Sequence, residues 1–513
     1  MNRLRGEEKK VGDAIRWLLA ALPLLWALAA IGWRKMSAMN AALGCYALAV
    51  GLALFPFHAS AGEVMHFTMY GVLLALIVVY VLVFGLLLHH VLEAGGAIRT
   101  LSAWLSYFGR TKSQQALLVS AALGPFLEAV SGFGLAVVIT APLYTALGFP
   151  ARKAMTLALL TQSAVPWGAL AIGTVINAEL SGVPLRELGE YSAWLHIPLY
   201  LFYACAVVVI SGGWRSIRMH LGDIVIVFVS LALVTWAVSA YVSVELAGAA
   251  AGGTAALVLI GYWQCQAYFG RRKEEAEERE EREERQPLGK VLWPYLVLIG
   301  YIFITHFFPE VRHIATTVGV WQWPAYGFRL ELLYSPGFAL CLAVIVAFGL
   351  YRLRLNEGLA CIRKTLKQVF PAAVATTGFI AMSSVMDGSG MMGVLATQAA
   401  TWTESAFLAV SPLVGALGGW TSGSNSAANA MFSPFQRAMA DQLHEPAIWY
   451  AAAQNVAASN MTMASPARIA LVASTVGRPG EEGEAMRLVG PIAGAALVII
   501  VLGVLIGRAT VGM

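Results

Sequence analysis

Two clusters of small and polar residues interrupt apolar surroundings: Ser131-Gly132-Phe133-Gly134, and residues 421–429, which read TSGSNSAAN. Glycine lets backbone come close to a ligand, and Ser131, Ser424, Asn425, Ser426 and Asn429 offer side-chain hydrogen-bond donors. A helix broken at such a point turns its positive N-terminal end toward any anion nearby. Downstream of each cluster a proline, Pro166 or Pro466, interrupts an apolar run beside an amide, Gln162 or Asn455. That predicts two unwound stretches facing one cavity. Glu128 lies just ahead of the first cluster, and Arg468 follows the second proline within an apolar run. A charge in such a place is costly and is a functional candidate by default. The five donors of a guanidinium suit a carboxylate, with a lipid headgroup as the other taker for Arg468. Glu93 and Asp387, each just after an apolar run, are further candidates for carrying a proton. The alternative for both is a helix start at the membrane interface, where an acid suits the dipole.

Other chemistries lack their residues. There is no Walker A loop and no HExxH. Residues 388–393 fit GxGxxG but follow an apolar run rather than a strand. The nine His residues show no zinc spacing and read as loop or interfacial groups. No nucleophile–base pair stands out, so an enzyme is not expected, nor is a cofactor or a metal. Gly248–Gly252, Gly415–Gly419 and Gly490–Gly494 fit GxxxG and predict close helix packing. The five Cys residues are scattered without CxxC spacing and read as small buried hydrophobes.

The elements that must position these residues follow from composition. Of 513 residues, 58% are apolar and 12% charged, and the mean hydropathy is +0.70. An average soluble domain is about 45–50% apolar and about 25% charged. Residues 271–285 alone hold 14 of the 63 charged side chains (34 basic plus 29 acidic), so the other 498 residues carry 49. Such a chain cannot cover a water-facing surface, which excludes a soluble enzyme, a disordered protein and an ordinary nucleic-acid binder. Apolar runs of about 20 residues, enough to cross a bilayer, recur along its length. The fold class is an all-α polytopic membrane protein. The first run, 14–33, reads as an uncleaved span rather than a signal peptide.

Apolar segments fall at 14–33, 38–57, 64–88, 116–147, 153–178 and 193–211, then at 220–246 and 249–268. After the charged run they return at 288–308, 335–351, 367–386, 408–440, 447–475 and 486–510. A shift of about 290–300 residues lands most of the first six on the last six, which points to a duplication. Local matches include Gly132 on Gly423, Glu93-Ala94-Gly95-Gly96 on Asp387-Gly388-Ser389-Gly390, and TQSAVPWGA (161–169) on AQNVAASNM (453–461). The fourth segment of each set is long and polar in its middle, as a re-entrant hairpin requires. The expected division is a first repeat over 1–219 with its hairpin at 116–147, two linking spans and a charged loop over 220–287, and a second repeat over 288–513 with its hairpin at 408–440. That makes about 12 transmembrane helices plus two re-entrant hairpins in inverted structural repeats. Loops on the side of the charged run then hold 23 Lys and Arg, against 10 opposite and Arg468 within a segment. The positive-inside rule places the 23 in the cytoplasm and both termini outside, although the basic start of the chain opposes this locally.

With these residues in view, LEAVSGFGLAVVITAPLYTALGFP (127–150) resembles the EGAAGFG-type motif of the L-lactate permease family of bacterial secondary transporters. GWTSGSNSAANAMFSPFQ (419–436) resembles that family's TGSDTSSNALF followed by a Gln. Asp387-Gly388-Ser389-Gly390-Met391 is similar to its SGM motif, Asn455 and Ser465-Pro466 to an Asn and an ISP, and Gly213-Trp214-Arg215 to a GWR. The resemblance covers about residues 10–510. It implies uptake of L-lactate, glycolate or a related 2-hydroxy acid by proton symport across the bacterial inner membrane. The implied partners are a small organic anion, protons, membrane lipids and a second copy in a homodimer. It assigns site roles to Glu128, Gly132, Phe133 and Gly134, and to Gly423, Ser424, Ser426 and Asn429. Two positions depart from the pattern: Asn425 stands where the family has Asp, and Thr462 where it has Lys. Arg468 is the residue that replaces the Lys in this reading. The alternative is an uncoupled exchanger or channel for a divergent carboxylate or sulfonate.

Overall fold

A computed structural model describes residues 2–32, 36–97, 100, 109, 111–132, 134–269 and 288–511. Phe133 and the charged run 271–285 lie outside the described residues. The chain opens with α1 (Asn2–Gly32), α2 (Ala38–Leu54) and α3 (Ala61–Ala94). Next, α4 (Lys112–Ala116) runs through a π-helical segment, Leu117–Leu123, into α5 (Gly124–Ser131), and α6 (Leu135–Ala146) follows a break at 132–134. An unwound stretch at 161–167 separates α7 (Ala151–Leu160) from α8 (Gly168–Ser181). Then come α9 (Leu185–Gly212), α10 (Ser216–Met219), α11 (Leu221–Tyr241) and α12 (Val244–Phe269). The second half starts with α13 (Leu288–Phe307), α14 (Pro309–Thr317), β1 (Val320–Trp323) and β2 (Phe328–Glu331). It continues with α15 (Pro336–Leu350), α16 (Leu355–Gly388) and α17 (Met391–Thr403). A break at Gly423-Ser424 parts α18 (Phe407–Ser422) from α19 (Asn425–Leu443), and one at 462–465 parts α20 (Ala447–Met461) from α21 (Pro466–Thr475). The last helix is α22 (Glu482–Val511).

Among the described residues, eight helices are 19 to 34 residues long and apolar enough to cross a membrane. The all-α polytopic reading holds. Helices α3 and α16 are both 34 residues long, and both of their ends differ by 294 positions (355 − 61 and 388 − 94). They cross in contact. A Cβ at Gly71 would lie 2.7 Å from Ala381 Cα, so only glycine allows the two backbones to approach this closely. On another face of α16, a Cβ at Gly378 would lie 2.9 Å from that of Ala42 in α2.

Each interrupted pair folds back on itself. In the first, the Ser120 and Tyr144 hydroxyls, 24 residues apart, hydrogen-bond to each other, and Ser120 Oγ also donates to Leu157 O at 2.7 Å. In the second, Ser411 Oγ donates to Gln436 Oε1 at 2.9 Å, 25 residues away, and Gln436 Nε2 returns a bond to Ser411 O at 3.1 Å. Both ties are nearly centred on the breaks, so the arms run antiparallel as hairpins. The π-helical turn in the first rising arm holds Ser120, the residue that makes its tie.

Several details depart from the sequence reading. The 309–334 connection carries α14 and a β-hairpin, in register Val320↔Glu331 and Trp323↔Phe328. Its alternation is that of a strand: Phe328 and Leu330 are buried against Leu73 of α3, while Arg329 points away. The His residues are not confined to loops. His90, His196, His220 and His306 are buried, and His90 Nδ1 meets Thr365 Oγ1 at 2.8 Å, 275 residues away. Gly248–Gly252 and Gly415–Gly419 pack closely as predicted, but a Cβ at Gly494 would meet nothing within 4 Å among the described residues. The cysteines are all free, with Cys45 and Cys361 buried but Cys265 exposed.

The hairpin geometry sets an accessibility test. Lys112→Cys and Arg152→Cys flank the first hairpin, and Thr401→Cys and Gln442→Cys flank the second. A membrane-impermeant thiol reagent should reach both members of a pair from one side, and the two pairs from opposite sides. Opposite-side labelling within a pair contradicts re-entrance.

Candidate functional site

Four helix breaks meet at one place. At the first hairpin tip the backbone turns through Gly132 (φ +61°) and Gly134 (φ +77°), and the second tip turns through Gly423 (φ +63°). These left-handed angles favour glycine. A Cβ at Gly134 would lie 1.6 Å from Arg468 Nη1, so the first tip is in contact with the residue that follows the second downstream break. A Cβ at Gly423 would lie 2.8 Å from Ser465 Oγ, and one at Gly173 of α8 would lie 2.6 Å from Asn425 Nδ2. Each tip therefore touches a broken helix. The N-terminal ends of α6, α8, α19 and α21 gather here, and their positive ends favour an anion.

The convergence encloses a small cavity of about 30 Å³, lined by Glu128, Val165, Gly168, Ile172, Gly173, Ser424, Asn425, Ser426 and Arg468. That volume holds a water or two. Glu128 is buried on the last turns of α5, where its Oε1 accepts from Gly134 N–H at 3.3 Å. Its Oε2 has no hydrogen-bond partner among the described residues. Arg468 is half-buried on the first turn of α21. Its backbone N–H donates to Ser465 Oγ at 3.2 Å, and its Nε donates to Gly423 O at 3.1 Å. The second tip thus orients the guanidinium, and the N-cap fixes its helix. Ser424 caps α19 in the same way, accepting from Ala427 N–H at 3.3 Å.

Behind the cavity, Asn455 ties four helices together. Its Oδ1 accepts from Asn425 Nδ2 at 3.1 Å and from Asn429 Nδ2 at 3.0 Å, both on α19. Its Nδ2 donates to Thr174 Oγ1 of α8 at 2.9 Å and to Ser192 Oγ of α9 at 3.1 Å. Asn429 Nδ2 also reaches Gly173 O at 2.9 Å. A buried amide with every donor and acceptor used is a rigid joint, because each lost bond strands a desolvated group.

The structure sorts the sequence candidates. Glu128, Ser424, Asn425, Ser426 and Arg468 line the cavity, Gly134 and Gly423 adjoin it through Arg468, and Asn429 and Asn455 support it. Asn455 is not in an unwound stretch. It lies inside α20, while the break that matches 161–167 falls at 462–465, so the alignment of 161–169 with 453–461 is out of register. Gln162 does lie in the first break, but its buried amide is off the cavity wall, and neither of its polar atoms is hydrogen-bonded among the described residues. Ser131 Oγ turns back to donate to Leu127 O. Thr462 is buried and donates to Ser459 O at 2.7 Å.

Glu93 and Asp387 are corrected more sharply. They sit at the C-terminal ends of α3 and α16, not at helix starts and not at the cavity. An acid there opposes the dipole, and each is offset by a cation. Lys364 Nζ lies 2.6 Å from Glu93 Oε2, and Arg437 Nη2 lies 2.9 Å from Asp387 Oδ2. The wall residues Gly168, Ile172 and Gly173 and the partners Thr174 and Ser192 were missed. The two glycines in GALAIGT were the available signal.

Fold and site define a multi-pass integral membrane protein with a buried polar site at the junction of interrupted helices. The L-lactate permease family profile matches residues 16–326 and 322–510, and the chain belongs to that family. It is 24% identical to an L-lactate permease of Streptococcus iniae over 444 residues, 85% of this chain and 93% of that one. It is 23% identical to an L-lactate permease of Escherichia coli K12 over 505 residues, 92% of each chain. A glycolate permease of the same strain is 21% identical over 519 residues, 93% of this chain and 92% of that one. Among solved structures, the YdaH transporter of Alcanivorax borkumensis aligns with TM-score 0.47 at 16% identity, covering 88% of each chain.

The joint at Asn455 predicts a stability effect. Asn455→Ala removes four hydrogen bonds and leaves Asn425 Nδ2 and Ser192 Oγ without their partner, and should cost about 2–4 kcal/mol. Thermal unfolding of the detergent-solubilised protein measures it, with the exposed Asn40→Ala as a neutral reference.

Proposed function

We propose that this protein is a secondary transporter that imports a small monocarboxylate, L-lactate, glycolate or a related 2-hydroxy acid, by proton symport. The observation that carries the reading is a carboxyl and a guanidinium lining one cavity where four helix N-termini converge. The names of the relatives, L-lactate and glycolate permeases, supply the substrate class.

The roles follow from chemistry. The Arg468 guanidinium, aimed by Gly423 O, takes the substrate carboxylate, and its planar fork matches two carboxylate oxygens. Ser424, Asn425 and Ser426 face the same space and recognise the 2-hydroxyl. Glu128 exchanges the coupled proton, since symport requires a group that gains and releases one in each cycle. Asn425 cannot do this, because an amide does not titrate. Glu93 and Asp387, engaged by Lys364 and Arg437 at helix ends, are structural in this scheme.

The chain is best divided as two inverted repeats, 1–219 and 288–513, joined by two spans and a charged cytoplasmic loop over 220–287. The 294-residue offset between α3 and α16 and the matched hairpin ties support that division. At about 30 Å³, the site has room for water but not for a hydroxy acid. The tips must therefore part to admit substrate.

A second reading, uncoupled anion exchange, draws on Asn425, where the family pattern has an acid. Uptake of labelled lactate into proteoliposomes, with and without an imposed pH gradient, separates the two. The symporter accumulates lactate when a pH difference is the only driving force. The exchanger only equilibrates label.

The binding role of Arg468 is tested from two sides. Arg468→Gln removes the anion's partner, and KM for lactate should rise at least tenfold with expression retained. Gly134→Ala displaces the guanidinium without removing it and should do the same. Gly148→Ala is the control: its φ of +74° is close to the +77° of Gly134, but a Cβ there meets only Lys112 Nζ, at 3.9 Å. Equal kinetics for Gly134→Ala and Gly148→Ala would remove Arg468 from the site.

A further inference from the structure

A second, larger cavity of about 370 Å³ lies under the β-hairpin, between α3, α8 and the start of α12. Its walls include Tyr70 and Leu74 of α3, Glu245 of α12 and Phe328 of β2. From α8 it takes Ile172, Val175 and Glu179, three and four residues apart and hence on one helical face. Ile172 is also a wall of the small cavity that holds Glu128 and Arg468. The two spaces thus share one wall residue, which is 3% exposed. The larger space has the volume of a ligand pocket, and the smaller has that of a water or two.

The backbone beside Ile172 is unusual. Leu170 and Ala171, both buried, have φ of +53° and +62°. Two consecutive L-residues in the left-handed region are strained, and such strain collects at switch points. Glycine flanks the pair, with Gly168 packed 3.5 Å from Glu128 Cγ by its virtual Cβ and Gly173 packed against Asn425. The first turn of α8 therefore joins the binding wall directly to the vestibule wall.

We propose that the larger cavity is the outer vestibule of the transporter, and that Ile172 is the gate between it and the binding site, moving with the strained turn at Leu170-Ala171. The proposal rests on reading the small cavity as the binding site. Glu179 marks the outer mouth, and Val175 lies between mouth and gate. Relaxation of the two left-handed residues swings Ile172 off the partition and joins the two volumes. An aliphatic gate keeps bulk water and ions from the Glu128 carboxyl while closed. Its size also sets which side chains of a 2-hydroxy acid pass.

Thiol accessibility tests this without any substrate. In the full-length protein with its five native cysteines replaced, Glu179→Cys, Val175→Cys and Ser426→Cys are made singly. Each is treated in intact cells with the impermeant anionic reagent methanethiosulfonate ethylsulfonate. Glu179→Cys and Val175→Cys should react at least tenfold faster than Ser426→Cys. Adding Ile172→Ala to Ser426→Cys should raise its rate at least tenfold. Failure of Glu179→Cys to react from outside overturns the vestibule. An unchanged Ser426→Cys rate on adding Ile172→Ala overturns the gate. In a transport arm, Ile172→Ala should raise uptake of 2-hydroxyhexanoate relative to lactate several-fold, and an unchanged ratio denies Ile172 a part in selectivity. Absence of wild-type uptake for lactate and glycolate alike would sink the substrate assignment, while the labelling rates still decide the gate.

Discussion

A helix interrupted inside a membrane leaves backbone donors and acceptors that lipid cannot satisfy, and this chain brings four such interruptions to one point. The rest of the architecture serves that constraint. Gly134 N–H finds Glu128, Gly423 O finds Arg468, and the N-terminal ends of α19 and α21 are capped by Ser424 and Ser465. Three of the groups that resolve the backbone problem, Glu128, Ser424 and Arg468, also line the small cavity. A carboxyl and a guanidinium are tolerable there because helix ends and polar side chains replace the missing water.

Rigidity around the junction comes from buried amides. Asn455 holds α8, α9 and α19 to α20, and Gln436 extends the joint by donating to Gln454 Oε1 at 3.1 Å. The acids with close cationic partners, such as Asp387 and Glu93, sit at helix ends instead. The contrast is one of solvation. Neutral amides need only hydrogen-bond partners, whereas a buried ion pair also bears the desolvation of both charges. A strained element, Leu170-Ala171, lies where this rigid frame meets the larger cavity.

Much of this was legible in the sequence because polar residues are costly in apolar segments and stand out there. The two broken segments, Glu128 and Arg468 were visible on that ground. Register was not. The match of 161–169 to 453–461 followed residue type, while the structure matches break to break, which placed Asn455 a few turns too late. Partners distant in sequence were also invisible. Glu93 meets Lys364 271 residues away, Asp387 meets Arg437 50 residues away, and buried His90 meets Thr365 275 away. The β-hairpin escaped because two four-residue strands, VWQW and FRLE, give too short a pattern to separate from a loop. The wall that α8 lends to both cavities was hidden among ordinary apolar residues, since Ile172 stands out only by lining the two spaces.

The central claim is that Glu128 carries the coupled proton while Arg468 holds the anion. Its most direct test is Glu128→Gln reconstituted in proteoliposomes and assayed twice with labelled lactate. One assay measures accumulation driven by a pH gradient alone, and the other measures counterflow against internal unlabelled lactate. The account predicts that accumulation is lost while counterflow persists, because exchange need not release the proton. Accumulation at the wild-type level under a pH gradient alone would contradict it.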